Sequence, residues 1–219
     1  MMTKSSLRCA ALAALVFGLV VAPAFGLTIP AGKDYWNTPD SGNTYFTFPE
    51  GDVESLCGEP AYDGWDHVAK LAGAPAYGGN ADTVVARLDN ATFVNGVAST
   101  RVQVVGLSFK SIEPQSTPCG ELVWQVGLAG DQQVTRMRLR QTSDVGGRFW
   151  ADLAVKVEFR GYDAQTGGYV GSLFYGFDLP EKSTGGTAWS LSGGVFRAGM
   201  DEANNCFQTL REKIANFRD

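Results

Sequence analysis

Histidine is nearly missing from this chain: among 219 residues only His67 carries an imidazole. That removes most Ser-His-Asp arrangements and nearly all His-rich metal sites. Charge is sparse too, at 19% of residues, and its balance is acidic, with 18 Lys and Arg against 23 Asp and Glu and a net charge of −5. Nucleic-acid binders draw affinity from basic charge, so no nucleic-acid partner is expected. There is too little charge for a coiled coil, while the 44% apolar content is too high for a disordered chain. No G-x-S-x-G, P-loop or H-E-x-x-H motif occurs. These absences leave a soluble, mostly β protein without a visible catalytic signature.

What is present begins with a targeting layout. Lys4 and Arg8 precede an apolar run of 14 residues, Cys9 to Ala22, and Ala22-Pro23-Ala24 and Ala24-Phe25-Gly26 then supply small residues. Basic, then apolar, then small is the order of a secretory signal peptide. The alternative is a membrane anchor, but 14 helical residues reach only about 21 Å, short of a hydrocarbon core of roughly 30 Å. Residues 1–26 are therefore expected to be removed, after Ala24 or Gly26, giving a secreted or periplasmic protein with no integral membrane segment. Losing Lys4 and Arg8 takes the charge from −5 to −7. The remaining 27–219 is expected to be one β-rich domain, since all-β folds of this length commonly stay undivided.

Export permits disulfides. Cys57 and Cys119 share a local context, Leu56-Cys57-Gly58-Glu59 and Pro118-Cys119-Gly120-Glu121, and are expected to pair. Cys206 is then odd, either free and buried or bridging two chains.

Beyond Asp82 the sequence alternates. Leu122, Trp124, Val126 and Leu128 share one phase; Thr135, Met137 and Leu139 stand opposite Arg136, Arg138 and Arg140; Ala151, Leu153, Val155, Val157 and Phe159 stand opposite Asp152, Lys156 and Glu158. Thr83–Leu88, Thr100–Phe109, Arg148–Phe159, Tyr169–Leu179 and Trp189–Arg197 read as strands, and Asn95-Gly96 signals a two-residue hairpin turn. Period-two alternation gives each strand one buried face, which antiparallel sheets satisfy. The expected fold is mainly β, an antiparallel β-sandwich or flattened barrel. Ala203, Phe207, Leu210, Ile214 and Phe217 recur at helical spacing, so a C-terminal amphipathic α-helix is expected over about 201–217. The segment from Leu27 to Asp66 reads as loop-rich, with a short strand at Asn43–Phe48.

Three features could carry a function. Between Asp34 and Asp66 lie eight acidic residues and no Lys or Arg. Asp52, Glu54, Asp63 and Asp66 could supply oxygen ligands to calcium, although no EF-hand spacing is present; a solvated acidic surface is the plainer reading, and no other cofactor is expected. Arg136, Arg138 and Arg140 project from one strand face, where they could hold a sulfated or phosphorylated glycan or an acidic protein partner, or else pair with neighbours such as Asp152 and Glu158. Trp124 falls on a core phase, while Trp150 lies off the phase of Leu153 and Val155 and is the better candidate for an exposed ring. Glu121, Asp152 and Glu158 are formal candidates for acid/base chemistry, with nothing to single them out.

Asp34-Tyr35-Trp36-Asn37-Thr38-Pro39, Asn80-Ala81-Asp82-Thr83-Val84-Val85-Ala86-Arg87-Leu88 and Gly146-Gly147-Arg148-Phe149 resemble segments of an uncharacterised group of exported bacterial β-rich proteins. The resemblance runs from Lys33 to Phe159. It implies export and a β-rich fold, and brings no activity with it. The expected function is a non-enzymatic exported binding or structural module. The alternatives are a secreted polysaccharide-acting hydrolase using carboxylates, and a calcium-stabilised adhesion module.

Overall fold

A computed structural model describes residues 26–36, 44–62, 64–76, 81–179, 187–192 and 195–198. The signal segment, the C-terminal helix expected over about 201–217, Cys206 and Asp63 lie outside these residues. The strands run β1 (Thr28–Ile29), β2 (Gly32–Trp36), β3 (Thr44–Thr47), β4 (Val68–Gly73), β5 (Thr83–Arg87), β6 (Ala91–Thr92), β7 (Val97–Ser111), β8 (Gln115–Thr117), β9 (Gly120–Leu128), β10 (Val134–Ser143), β11 (Gly146–Ala151), β12 (Leu153–Asp163), β13 (Tyr169–Leu179), β14 (Thr187–Ser192) and β15 (Val195–Ala198). A single helical turn, α1 (Asp52–Ser55), lies between β3 and β4.

Every pairing among the described residues is antiparallel, and the strands form two sheets that share β7, in a sandwich-like arrangement that is not a closed barrel. The first sheet is ordered β2-β5-β7-β10-β11-β14-β15, and the second β3-β4-β7-β9-β12-β13, with β8 on β9. β1 and β6 make a separate two-stranded ladder. Residues 97–107 of β7 pair with β5 and β10, and residues 108–111 pair with β4 and β9. A bulge lies just before the change of sheet: Val84 pairs with Gly106 and Val85 with Val104, leaving Val105 as the extra residue. A bulge bends its strand and increases the local twist, so one 15-residue strand can turn the corner between sheets. Buried residues of β7 accordingly change phase, from Thr100, Val102 and Val104 to Leu107, Phe109 and Ser111.

The core lies between the inner faces. Trp124, Phe149, Phe159, Met137 and Leu139 are fully buried, and Phe46 packs on Phe159 at 4.5 Å and Phe48 on Trp124 at 4.6 Å between ring centroids. The indole Nε1 of Trp124 donates to Gln115 Oε1 at 2.8 Å, which satisfies its one polar atom inside the core. Asn95 (φ 52°) and Gly96 (φ 75°) make the expected left-handed turn, closed by Val94 and Val97.

Three local expectations are corrected. Trp189–Arg197, expected as one strand, falls on two, β14 and β15, which pair with each other. The run from Arg148 to Phe159 is two strands, broken at Asp152, with β11 in the first sheet and β12 in the second. The alternation does not skip a beat at the break, which is why it reads as continuous. The segment after Leu27 contains strands β1 and β2, with Asp34 and Trp36 facing inward. Asp34 therefore leaves the solvated acidic surface to which its neighbours assign it.

Cys57 and Cys119 are joined, with Cα atoms 5.6 Å apart. The bridge ties the end of α1 to the β8–β9 turn. Val53 and Glu54 are buried beneath it.

Candidate anion-binding face

Alternation on β10 sends Met137 and Leu139 into the core and exposes Arg136, Arg138 and Arg140. Residues two apart on a strand are separated by about 7 Å, so the three guanidinium groups start from a row about 14 Å long. The neighbouring strands decide what flanks that row. Arg136 stands directly opposite Arg101 of β7, and Arg140 directly opposite Arg148 of β11. Arg138, in the middle, lies between Ser99 and Trp150. Partners directly opposite share a face and lie within about 5.5 Å at Cβ. The outer face thus carries a pair of arginines at each end and an indole at its centre.

Like charges directly opposite one another destabilise a sheet. Arg101 is offset by Asp89, which accepts hydrogen bonds from Nε at 2.7 Å and Nη2 at 2.8 Å. Those hydrogen bonds hold the Asp89 carboxyl below the usual aspartate range. Among the described residues no carboxylate stands at ion-pair distance from Arg136, Arg138 or Arg140. Glu158, one partner suggested by the sequence, sits on the second sheet and accepts from Arg160 and from Ser172, hydrogen bonds that hold its carboxyl low. Asp152 occupies the break between β11 and β12. Trp150 is half-buried: its ring lies on the outer face but is partly covered. Thr100-Arg101-Val102-Gln103-Val104 and Thr135-Arg136-Met137-Arg138-Leu139, which look alike in sequence, overlap across the β7–β10 ladder, where Thr100, Arg101 and Val102 face Met137, Arg136 and Thr135.

The acidic residues take different places. Asp52 Oδ2 accepts the Tyr175 hydroxyl at 2.7 Å. Glu54 is buried, and its Oε1 accepts from Trp65 Nε1 at 2.9 Å and from the Tyr62 N–H at 3.2 Å. Burial pushes the Glu54 carboxyl up, but these hydrogen bonds, with its own backbone and the nearby His67, hold it below the usual glutamate range. Asp66 is exposed, and its Oδ1 accepts the Val68 N–H. Among the described residues no three His, Cys, Asp or Glu side chains converge as a metal site. A groove of about 340 Å3 is lined by Trp65, Asp66, Lys70, Glu113 and Gln115 among others. Lys70 and Glu113 form an exposed ion pair across it at 3.6 Å. Of the formal acid/base candidates, Glu121 is exposed near the start of β9.

Sequence reasoning missed one polar constellation. Asp34 on β2 and Arg87 on β5 form an ion pair with both side chains almost fully buried. Arg87 Nε also donates to Pro30 O at 3.2 Å, and a Cβ on Gly32 would come within 2.9 Å of the guanidinium. The signal was present: Arg87 has the same phase as Val85 in an apolar run. Burial pushes the Asp34 carboxyl up to about 7 against the pull of Arg87. This pair is sealed in the core, away from the arginine face.

The fold and face together define an antiparallel β-sandwich protein with a cationic sheet surface. Comparison with known protein families, with curated proteins and with solved structures finds no match for the chain.

Proposed function

We propose that the protein is an exported, non-enzymatic binding module that holds an anionic partner on the outer face of its first sheet. The observation that carries this reading is the row Arg136, Arg138 and Arg140, exposed on one strand face with no carboxylate at ion-pair distance among the described residues. A bound anion supplies a counter-charge to such a row, because guanidinium groups grip carboxylate, sulfate and phosphate through paired N–H donors. The Cys57–Cys119 cystine and the signal-like N-terminus agree with an oxidising, extracytoplasmic setting.

The test is retention on immobilised dextran sulfate and immobilised polyglutamate. The wild-type protein is expected to bind at least one of them, and to be released as the Debye length falls from about 10 Å to about 3 Å. Replacing Arg136, Arg138 and Arg140 together by Gln is expected to abolish retention without lowering the thermal midpoint. Equal retention of the triple variant would overturn the reading. So would a failure of the wild-type protein to bind either polymer.

A further inference from the structure

The order of groups across the cationic face is more specific than its charge. Along β10 the sequence is arginine pair, ring, arginine pair: Arg136 with Arg101, then Arg138 flanked by Trp150 and Ser99, then Arg140 with Arg148. The cation pairs are separated by about 14 Å of strand. Midway between them lies one indole, beside an exposed hydroxyl-bearing serine. From this arrangement we infer that the anionic partner is a linear acidic polysaccharide lying along β10, with a sugar ring packed on Trp150 and its acid groups held by Arg136 and Arg140 on either side of it. The inference rests on the anion-binding reading of this face and narrows it.

Three features favour a saccharide over other polyanions. Peptides are usually taken up along a sheet edge or in a groove, where backbone hydrogen bonds or apolar anchors hold them. This site lies within a sheet: over residues 137–140, which include Arg138 and Arg140, β10 is hydrogen-bonded on both sides, to β7 and to β11, and offers no free ladder there. Single-stranded nucleic acid is held by successive stacking rings along a basic groove, whereas here one half-buried ring stands among the arginines, on a chain of net charge −5. A sugar presents a flat C–H face to an indole and hydroxyl groups to a serine and guanidinium N–H donors. In an acidic polysaccharide those same units also carry acid groups that Arg136, Arg138 and Arg140 can grip.

The experiment is a fluorescence titration of the full chain with four probes: polygalacturonate oligosaccharides, dextran sulfate oligosaccharides, a polyglutamate of matched charge and a single-stranded DNA oligonucleotide. We expect one or both saccharides to bind and to shift tryptophan emission, with a signal that weakens when Trp150 is replaced by Phe. Trp150→Ala is expected to weaken saccharide binding about fivefold to tenfold. Arg138→Gln, which alters only an exposed side chain, is expected to weaken it without affecting folding. The carboxylated and sulfated arms tell which acid group the arginines prefer. If polyglutamate or DNA binds as well as the saccharides and Trp150→Phe leaves the emission change intact, the polysaccharide inference falls while the anion-binding reading stands. If no probe binds, both fall.

Discussion

Asp34 shows how one residue can invert the meaning of a composition. Eight carboxylates crowd the stretch from Asp34 to Asp66, yet this one is buried and faces Arg87. The buried Arg87 guanidinium donates to Asp34, so deleting that acceptor leaves a charge stranded away from water. Asp34→Ala is expected to cost about 3–5 kcal/mol in urea unfolding. The pair also sets a pH dependence. The carboxyl titrates at about 7 in the fold and at about 3.9 in an unfolded chain. Between those values the folded state keeps a proton that the unfolded state has lost. The stabilisation from this group is therefore present in full below about pH 4 and disappears as the pH rises through about 7. Asp34→Asn, which has no such proton, is expected to show a flatter profile. The measurement is the wild-type minus variant difference in unfolding free energy across that range; a constant difference would contradict the assignment.

At the scale of elements, the cystine is the clearest lever. Cys57 and Cys119 are 62 residues apart in sequence and clamp the end of α1 to the β8–β9 turn. α1 is one turn long, too short to stand by itself, and it is held by burial of Val53, by Glu54 and by this bond. Replacing both cysteines by Ser is expected to cost about 2–4 kcal/mol, read as a lower urea midpoint. It is also expected to change the fluorescence of Trp65, whose indole donates to Glu54. Gly147 gives an independent check on the β10–β11 ladder. A Cβ there would meet the Arg140 carbonyl oxygen at 2.0 Å and Trp189 at 2.9 Å. Gly147→Ala is expected to destabilise the protein by about 1–3 kcal/mol and to weaken anion binding along with it, since it displaces the backbone that aligns Arg140 with Arg148.

Much of the element pattern could be read from sequence because period-two alternation directly reports which residues face the core. That periodicity put Arg136, Arg138 and Arg140 on one face and Trp124 inside. It could not show which strands become neighbours. The pairing of Arg101 with Arg136 depends on register across 35 residues, and that register is fixed by packing and turns, not by alternation. The β11–β12 break at Asp152 stayed hidden because both strands keep the same phase. The bulge at Val105 did leave a trace, an apolar run at Val104-Val105-Gly106-Leu107 where strict alternation fails. Asp34 was hidden by its company, since acidic neighbours suggest solvent. Cys57 and Cys119 were legible from their matching contexts.

At the scale of the whole molecule, most stabilising pairings join distant parts of the chain. β4 reaches β7, β9 reaches both β7 and β12, and Tyr175 bonds to Asp52 across 123 positions. Closing such loops delays the contacts that reward closure, and all-β domains of this kind fold in milliseconds to seconds. Refolding with the cystine intact is expected in that range by stopped-flow tryptophan fluorescence. A microsecond phase carrying the full amplitude would contradict the topology. The shared strand has one more consequence, which is mechanical. The neighbours of β7 change in relay: β10 pairs with residues 97–103, β5 with 102–107, β9 with 108–110 and β4 with 109–111. A pull along this strand therefore loads the bonds to all four neighbours together, as shear, and crosses from one sheet into the other through a single backbone.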